Sequence, residues 1–405
     1  MWTGVAASSP QVAARIDGEE ISIAAVDAFS SEAAQQLRSR LVEVTQQAVR
    51  ELIDRRLGIP AAALPHERAR IYGAHQVKLV LPVAQALDTT LPPEQVIAFV
   101  GKDAIAAAAV EQAAALRLYR LRGELYLQRR RDLNLAIEIR LLQSEAQRRG
   151  VSLQELEKSL ASTEAVTDTE VAEFVASERA AGRVIENPER MRPYLAFQKS
   201  YQRRSSLLEA IRARTQVHID LRPPTRPILP VDTDGGLLFG AASGPVLVVY
   251  TNYHCPVCRA THFELDRLLN DSEPPRVVLR DFAHDSSSMQ AAALVRCAAR
   301  TARAANVRLF LLRTDPPAPG KTWFDAKQLQ IVAHLAGMTP SALRTCSDLP
   351  EIRARIEQDT QTAHRLGFDD PPAFVAAGVP LSGMQTAQRL RDALNGSADS
   401  ELSLR

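Results

Sequence analysis

Ala33, Leu37, Leu41, Val44, Ala48, Leu52 and Ile53 recur at steps of three and four, the spacing of one apolar face on an amphipathic helix. The first half of the chain keeps this texture and predicts an all-α region. Beyond residue 240 the pattern changes. Pro245-Val246-Leu247-Val248-Val249-Tyr250 is a short β-branched run of the kind a buried strand carries. Phe263, Leu265, Leu268 and Leu269 then mark a helix, and Arg276 to Asp281 reads as a second strand. Helical patterns follow from Met289 to Ala305, Ala326 to Ala336 and Leu349 to Leu366.

Between these regions lie Pro223, Pro224, Pro227 and Pro230, then Asp234-Gly235-Gly236. Clustered prolines hold a segment extended and cannot join a helix, so residues 222–239 read as a linker. The helical half contains an internal repeat. A shift of 84 residues matches Ile21 with Ile105, Ala24 with Ala108, Val26 with Val110, Leu41 with Leu125, Ile53 with Ile137 and Arg56 with Arg140, within ten identities over 37 positions. Each copy opens with an apolar segment and a turn, Ala14-Arg15-Ile16-Asp17-Gly18 and Ala98-Phe99-Val100-Gly101-Lys102. In the second, Lys102 stands where the turn glycine is expected. The expected organisation is a helical unit over 1–95, its relative over 96–221, the linker, an α/β domain over 240–397 and a tail at 398–405.

Ile16-Asp17-Gly18-Glu19-Glu20-Ile21-Ser22, a spacer, and Glu51-Leu52-Ile53-Asp54-Arg55-Arg56-Leu57 resemble the N-terminal helical domain of SurA-type periplasmic chaperones. The second copy resembles it through Leu141 to Ser152. The resemblance implies a groove between amphipathic helices that takes partly unfolded chains, or a surface that pairs two protomers into a homodimer. A helical scaffold that merely holds the second domain is the plainer alternative. No parvulin-type domain follows, so prolyl isomerase activity is not implied.

A length of 405 residues suits two or three domains at roughly 150 residues each. With 46% apolar and 24% charged residues the composition is that of a globular protein, neither disordered nor fibrous. Forty-nine basic against forty-seven acidic residues leave +2, so no global field steers the chain to nucleic acid. Arg129-Arg130-Arg131 reads as a solvated helix face. No apolar run approaches the roughly 18 residues of a membrane span. Residues 1–10 lack the basic start and apolar core of a secretory signal.

The chemistry sits in Thr251-Asn252-Tyr253-His254-Cys255-Pro256-Val257-Cys258-Arg259-Ala260, between the first strand and its helix. Pro256 suits a first helical turn, where its missing N–H costs nothing. A cysteine at a helix N-terminus meets unpaired backbone N–H groups and the positive end of the dipole, which favours its thiolate. Cys255 is therefore expected to be the reactive thiolate, with a pKa below that of a free cysteine. Cys258, one turn on and more buried, would resolve the mixed disulfide. Zinc would need two more close ligands. His254 and His262 are candidates, but Cys297 and Cys346 are single and distant. A purely structural Cys255–Cys258 bridge would close too small a loop to add much stability. The remaining histidines have no metal spacing, and no P-loop, Rossmann or nucleophile-elbow pattern offers a rival enzyme, so no metal or cofactor is implied.

The strand-CxxC-helix unit resembles the thioredoxin superfamily. Asp370-Pro371-Pro372-Ala373-Phe374-Val375, followed by Leu381-Ser382-Gly383, resembles its cis-proline loop, with the cis-proline at Pro372. The long stretch between Cys258 and Pro372 fits an inserted helical subdomain, which makes the resemblance one to DsbA-type thiol-disulfide oxidoreductases over residues 240–396. It implies exchange with protein clients, a client strand held along Pro371, Pro372 and Ala373, a redox recycling partner and the bacterial envelope, with a cytoplasmic setting as the alternative. Three features depart from the family. Pro371 has no N–H to offer a client backbone. The dipeptide Pro256-Val257 lacks the histidine of the most oxidising members. Strand 245–250 lacks the buried carboxylate of some relatives. His254 and Arg259 are left as the electrostatic helpers of Cys255. Cys297 and Cys346 fall where DsbA-like relatives often carry a second pair, and read either as that disulfide or as two buried thiols.

Overall fold

The computed structural model describes residues 12–60, 62–82, 84–161, 166–316 and 326–397. The tail expected at 398–405 lies outside them. Contacts gather the described residues into two compact units. One joins the residues up to Gln36 to Leu125–Pro223, and the other joins Leu37–Glu124 to the residues from Pro224 onward. These units cut across the halves 1–95 and 96–221 read from the sequence.

Strands β1 (Val12–Ile16) and β2 (Glu19–Ser22) form a hairpin followed by helices α1 (Ile23–Asp27) and α2 (Ser31–Leu57). After α3 (Pro65–Ala74) and β3 (Lys78–Leu79), the second copy repeats the order as β4 (Val96–Val100), β5 (Asp103–Ala106), α4 (Ala107–Ala113) and α5 (Ala115–Arg149). The first hairpin pairs Val12 with Ser22, Ala14 with Ile21 and Ile16 with Glu19; the second pairs Val96 with Ala106, Ala98 with Ile105 and Val100 with Asp103, with the same irregularity one step in. The turns differ. Asp17 and Gly18 both take positive φ, at 48° and 90°, whereas in the second copy only Gly101 does, at 62°. Two-residue hairpins accept a glycine at the first central position when the second is an ordinary residue, so Lys102 leaves the register unchanged.

Helices α6 (Leu153–Ala161), α7 (Asp168–Ala180) and α8 (Met191–Arg212) and strand β6 (Val217–Ile219) complete the helical region. In the first unit β6 pairs antiparallel with β1, Ala14 opposite Ile219. The first-copy hairpin packs there not on its own helix but on the second copy's, with Ile16, Ile21 and Val26 against Leu133, Ile137 and Leu141. Arg140 reaches Glu19 at 3.3 Å. In the second unit the 84-residue counterparts repeat the contact the other way round, with Arg56 of α2 on Asp103 of β5 at 2.7 Å. The hairpins are thus exchanged between the copies.

The C-terminal domain runs β7 (Leu237–Gly240), β8 (Val246–Thr251), α9 (Pro256–Leu269), β9 (Arg276–Asp281), α10 (Ser286–Ala299), α11 (Ala304–Arg313), α12 (Ala326–Leu335), α13 (Pro340–Ser347), α14 (Pro350–Leu366), β10 (Ala373–Ala376), β11 (Val379–Ser382) and α15 (Ala387–Leu394). Its sheet has the order β11-β10-β8-β9-β7. Only β8 and β9 are parallel, joined by α9, and the other pairs are antiparallel. This is a thioredoxin-like sheet, and helices α10 to α14 are the insertion. The expected helix from Met289 to Ala305 is two helices. It breaks after α10, where Ala302 takes a φ of 58° that an α-helix cannot contain.

One sheet face packs under α9 and α15 through Leu247, Val249, Leu265, Phe374 and Leu390. The other face carries Val248, Tyr250, Phe368 and Val375 and is covered in part by Leu116 and Tyr119, from the first turns of α5. Residues 222–239 are held to the domain rather than serving as a free tether. Leu229 is buried and its N–H donates to the Gly378 carbonyl at 2.8 Å, Arg280 donates to the Asp232 and Asp234 carbonyls at 3.0 Å, and the segment ends inside β7. The insertion is joined to β9 by a buried ion cluster. Asp359 takes Arg280 at 2.7 Å as well as Arg296, and Arg296 also pairs with Asp281. Among the described residues no helix is long and apolar enough to cross a membrane.

Candidate active site

Strand β8 ends at Thr251, and the chain turns through Asn252 to His254 before α9 begins. Cys255 is the N-cap of α9 and Pro256 its first residue, so the sulfur sits where helical N–H groups have no carbonyl partner. The Cys258 N–H donates to the Cys255 sulfur at 3.2 Å. Cys255 is partly exposed and Cys258 fully buried, and neither is bonded to another cysteine. Across from them the Pro371–Pro372 peptide is cis, and the Pro371 carbonyl lies 3.7 Å from the Cys255 sulfur. The Pro372 carbonyl is occupied by the Gly383 N–H at 2.9 Å. Ala373 follows as the first residue of β10, buried opposite Tyr250.

The Cys255 thiol is pulled from the ordinary 9.0 down to about 6. The Cys258 thiol is the strongest donor to it, and the backbone N–H groups of Cys258 and Val257 add to the effect against partial burial and the charge of Asp370. The same contact, with burial, pushes Cys258 far above the ordinary thiol range. The two expected helpers of Cys255 are directed elsewhere. Arg259 donates to the Leu311 and Leu312 carbonyls at 2.7 and 2.6 Å, at the end of α11, and His254 lies 3.9 Å from Asp285. The stabilising donors are the Cys258 thiol first, and then the backbone N–H groups of the first helical turn.

Val257, between the two cysteines, and Phe263, further along α9, are exposed apolar side chains. Phe263 was expected on the buried stripe of the helix. That stripe is Cys258, Thr261, His262, Leu265 and Leu268, at steps of three and four, and Phe263 lies off it. His262 is buried between Thr251 and Arg308, and among the described residues no group of three or more His, Cys, Asp or Glu side chains converges. Cys297 on α10 and Cys346 on α13 form a disulfide across the insertion, with Cα atoms 6.0 Å apart.

Sequence reasoning missed Arg120 of α5. Its guanidinium donates to the Gly367 carbonyl at 2.7 Å, to Asp369 at 3.1 Å and to the Ser382 hydroxyl at 2.9 Å, bracketing the proline loop on both sides. No local signal marks it, since its partners lie some 250 residues away in sequence.

The family model for thioredoxin matches residues 232–396. No curated protein matches the chain. Among solved structures, a thioredoxin-like oxidoreductase from Silicibacter pomeroyi is 23% identical, with 40% of this chain and 92% of that one covered at a TM-score of 0.36. Wolbachia pipientis alpha-DsbA1 is 19% identical, covering 42% of this chain and 94% of that one, also at 0.36. The catalytic domain of Proteus mirabilis ScsC is 17% identical, covering 41% and 90% at 0.34.

Proposed function

We infer that the protein, whose residues 232–396 match the thioredoxin family model, exchanges thiols and disulfides with client proteins through Cys255 and Cys258. The observation that carries this reading is one geometry: a partly exposed sulfur at a helix N-terminus, with its pKa near 6, facing the Pro371–Pro372 loop. At neutral pH most Cys255 is thiolate, the nucleophile of exchange. Cys258, buried and protonated, resolves.

Pro371, Pro372 and Ala373 form the ledge on which a client strand is held, and exposed Val257, between the two cysteines, offers it an apolar contact. Pro371 offers a client only its carbonyl. The helical region supplies further client contacts. Tyr194, Phe197 and Tyr201 of α8 are exposed at helical spacing, a surface suited to partly unfolded chains. The setting is the bacterial envelope, with a redox partner to recycle the cysteine pair. Because the aromatics of α8 do not depend on the cysteines, a second reading keeps the protein as a chaperone or assembly factor whose CxxC senses redox state.

The test is Cys258→Ser. It should trap clients from an envelope extract as mixed disulfides through Cys255, while the wild type reduces insulin. No trapped client together with no insulin reduction removes the exchange reading. Aggregation suppression unchanged in the double Cys255→Ser, Cys258→Ser variant would then favour the second.

A further inference from the structure

Behind the cysteines lies a buried polar chain that the exchange reading does not use. His262 follows Cys258 by one helical turn and is fully buried, with its ring stacked on Tyr253 at 5.7 Å between centroids. Its Nε2 lies 2.9 Å from the Thr251 hydroxyl and its Nδ1 3.1 Å from Nη1 of Arg308. Thr251, the last residue of β8, is buried, and its side chain, after the Asn252 backbone N–H, favours the Cys258 thiolate.

Donor and acceptor capacities orient this chain without ambiguity. A guanidinium only donates, so Nδ1 of His262 must accept and the ring proton sits on Nε2. Nε2–H then donates to the Thr251 oxygen, which leaves the Thr251 O–H to donate to Cys258. Burial, followed by the charges of Arg308 and Arg259, pushes the His262 pKa down to about 3, so the ring stays neutral. The other groups facing this chain are Tyr253 and Asp266, the latter paired with Arg308. Every donor in the sequence Arg308, His262, Thr251 thus points toward the Cys258 sulfur, and a cation stands at its far end.

We propose that Thr251 and His262, anchored by Arg308, are positioning residues that stabilise the Cys258 thiolate during resolution of the mixed disulfide. The proposal rests on the exchange reading. In the step concerned, Cys258 gives its proton to water and its thiolate attacks the Cys255 sulfur. The Cys255–Cys258 bond forms as the bond from Cys255 to the client sulfur breaks. The client sulfur leaves with the electron pair as thiolate and takes a proton from water, so the client is reduced by two electrons and the cysteine pair oxidised. In the reverse direction Cys258 is the leaving group, and the same hydroxyl stabilises it.

The experiment mixes the reduced full-length protein with oxidised glutathione, quenches with acid, and follows by mass the appearance and decay of the Cys255–glutathione mixed disulfide across pH. Thr251→Val should form the adduct at the wild-type rate but resolve it about tenfold more slowly near neutrality, with the midpoint of the resolution profile raised by about one pH unit. Thr251→Ser should restore both. Should the valine variant not fold, His262→Leu carries the same expectation and His262→Gln, which keeps a donor, the same rescue. Resolution within about twofold of wild type, or equal slowing of formation and resolution, overturns the proposal while leaving the exchange reading intact. A wild type that neither forms nor resolves the adduct overturns both.

Discussion

Replacing Cys255 with serine in the reduced protein should remove a pH-dependent share of stability. The folded thiol titrates near 6 against 9.0 for the ordinary group. At pH 7 the folded sulfur is ionised about ten to one, and in the unfolded chain about one in a hundred, a difference of about 1.4 kcal/mol in favour of the folded state. Cys255 is only partly buried, so solvent screening brings this to roughly 1 kcal/mol. Because the folded pKa is the lower one, the contribution is complete above about pH 9 and disappears as pH falls through about 6. Hydrogen exchange of the β8 and β9 amides measures it locally, comparing wild type with Cys255→Ser from pH 5 to 9 after correction for intrinsic exchange. The gap between the two proteins should be negligible at the acid end and widen with pH. A gap that stays flat, or widens toward acid, refutes the claim that the Cys258 thiol and the N–H groups of the first helical turn hold Cys255 as a thiolate.

Two further outcomes follow from the same domain. Replacing both Cys297 and Cys346 with alanine opens a loop spanning 49 residues, which the chain-entropy relation puts at about 4 kcal/mol, so denaturant unfolding of the insertion should shift accordingly while the Cys255 titration stays in place; an unchanged midpoint would contradict it. Arg120→Ala removes the donors to Gly367 and Ser382, and should raise the KM for a protein client severalfold and speed amide exchange over residues 367–383, with kcat nearly constant. Equal KM and equal exchange would show that the proline loop stands without Arg120.

The α/β half was legible because its elements are local. A β-branched strand running into Cys-Pro-Val-Cys and an amphipathic helix specifies its own geometry, and the repeat was visible because identical residues recur at one offset. What the sequence did not disclose was partnership. Leu116 and Tyr119 look like ordinary members of a helix stripe, yet they cover a sheet whose strands begin some 120 residues later. The hairpin exchange is equally silent, since the pattern of Ile16 and Ile21 is satisfied by either long helix. From the sequence His262 reads only as a candidate metal ligand. Its place on the face of Cys258, four residues on, was the available signal, but its partner Arg308 lies 46 residues away. The break before α11 needed a backbone angle at Ala302 that no residue type announces.

The pairing of β1 with β6 also sets an order of events at the ribosome. Strand β1 emerges well before β6 and finds that neighbour only when residues 217–219 appear, so its free hydrogen-bonding edge waits through most of the synthesis of the helical region. Residues 37–124 wait longer still, because their unit is finished by strands between residues 237 and 382, which leave the tunnel later. A chain ended at residue 223 could complete the first of these assemblies, yet it would leave Leu116 and Tyr119 facing water, so excising the helical region at the proline-rich stretch yields a sticky fragment rather than a free-standing module.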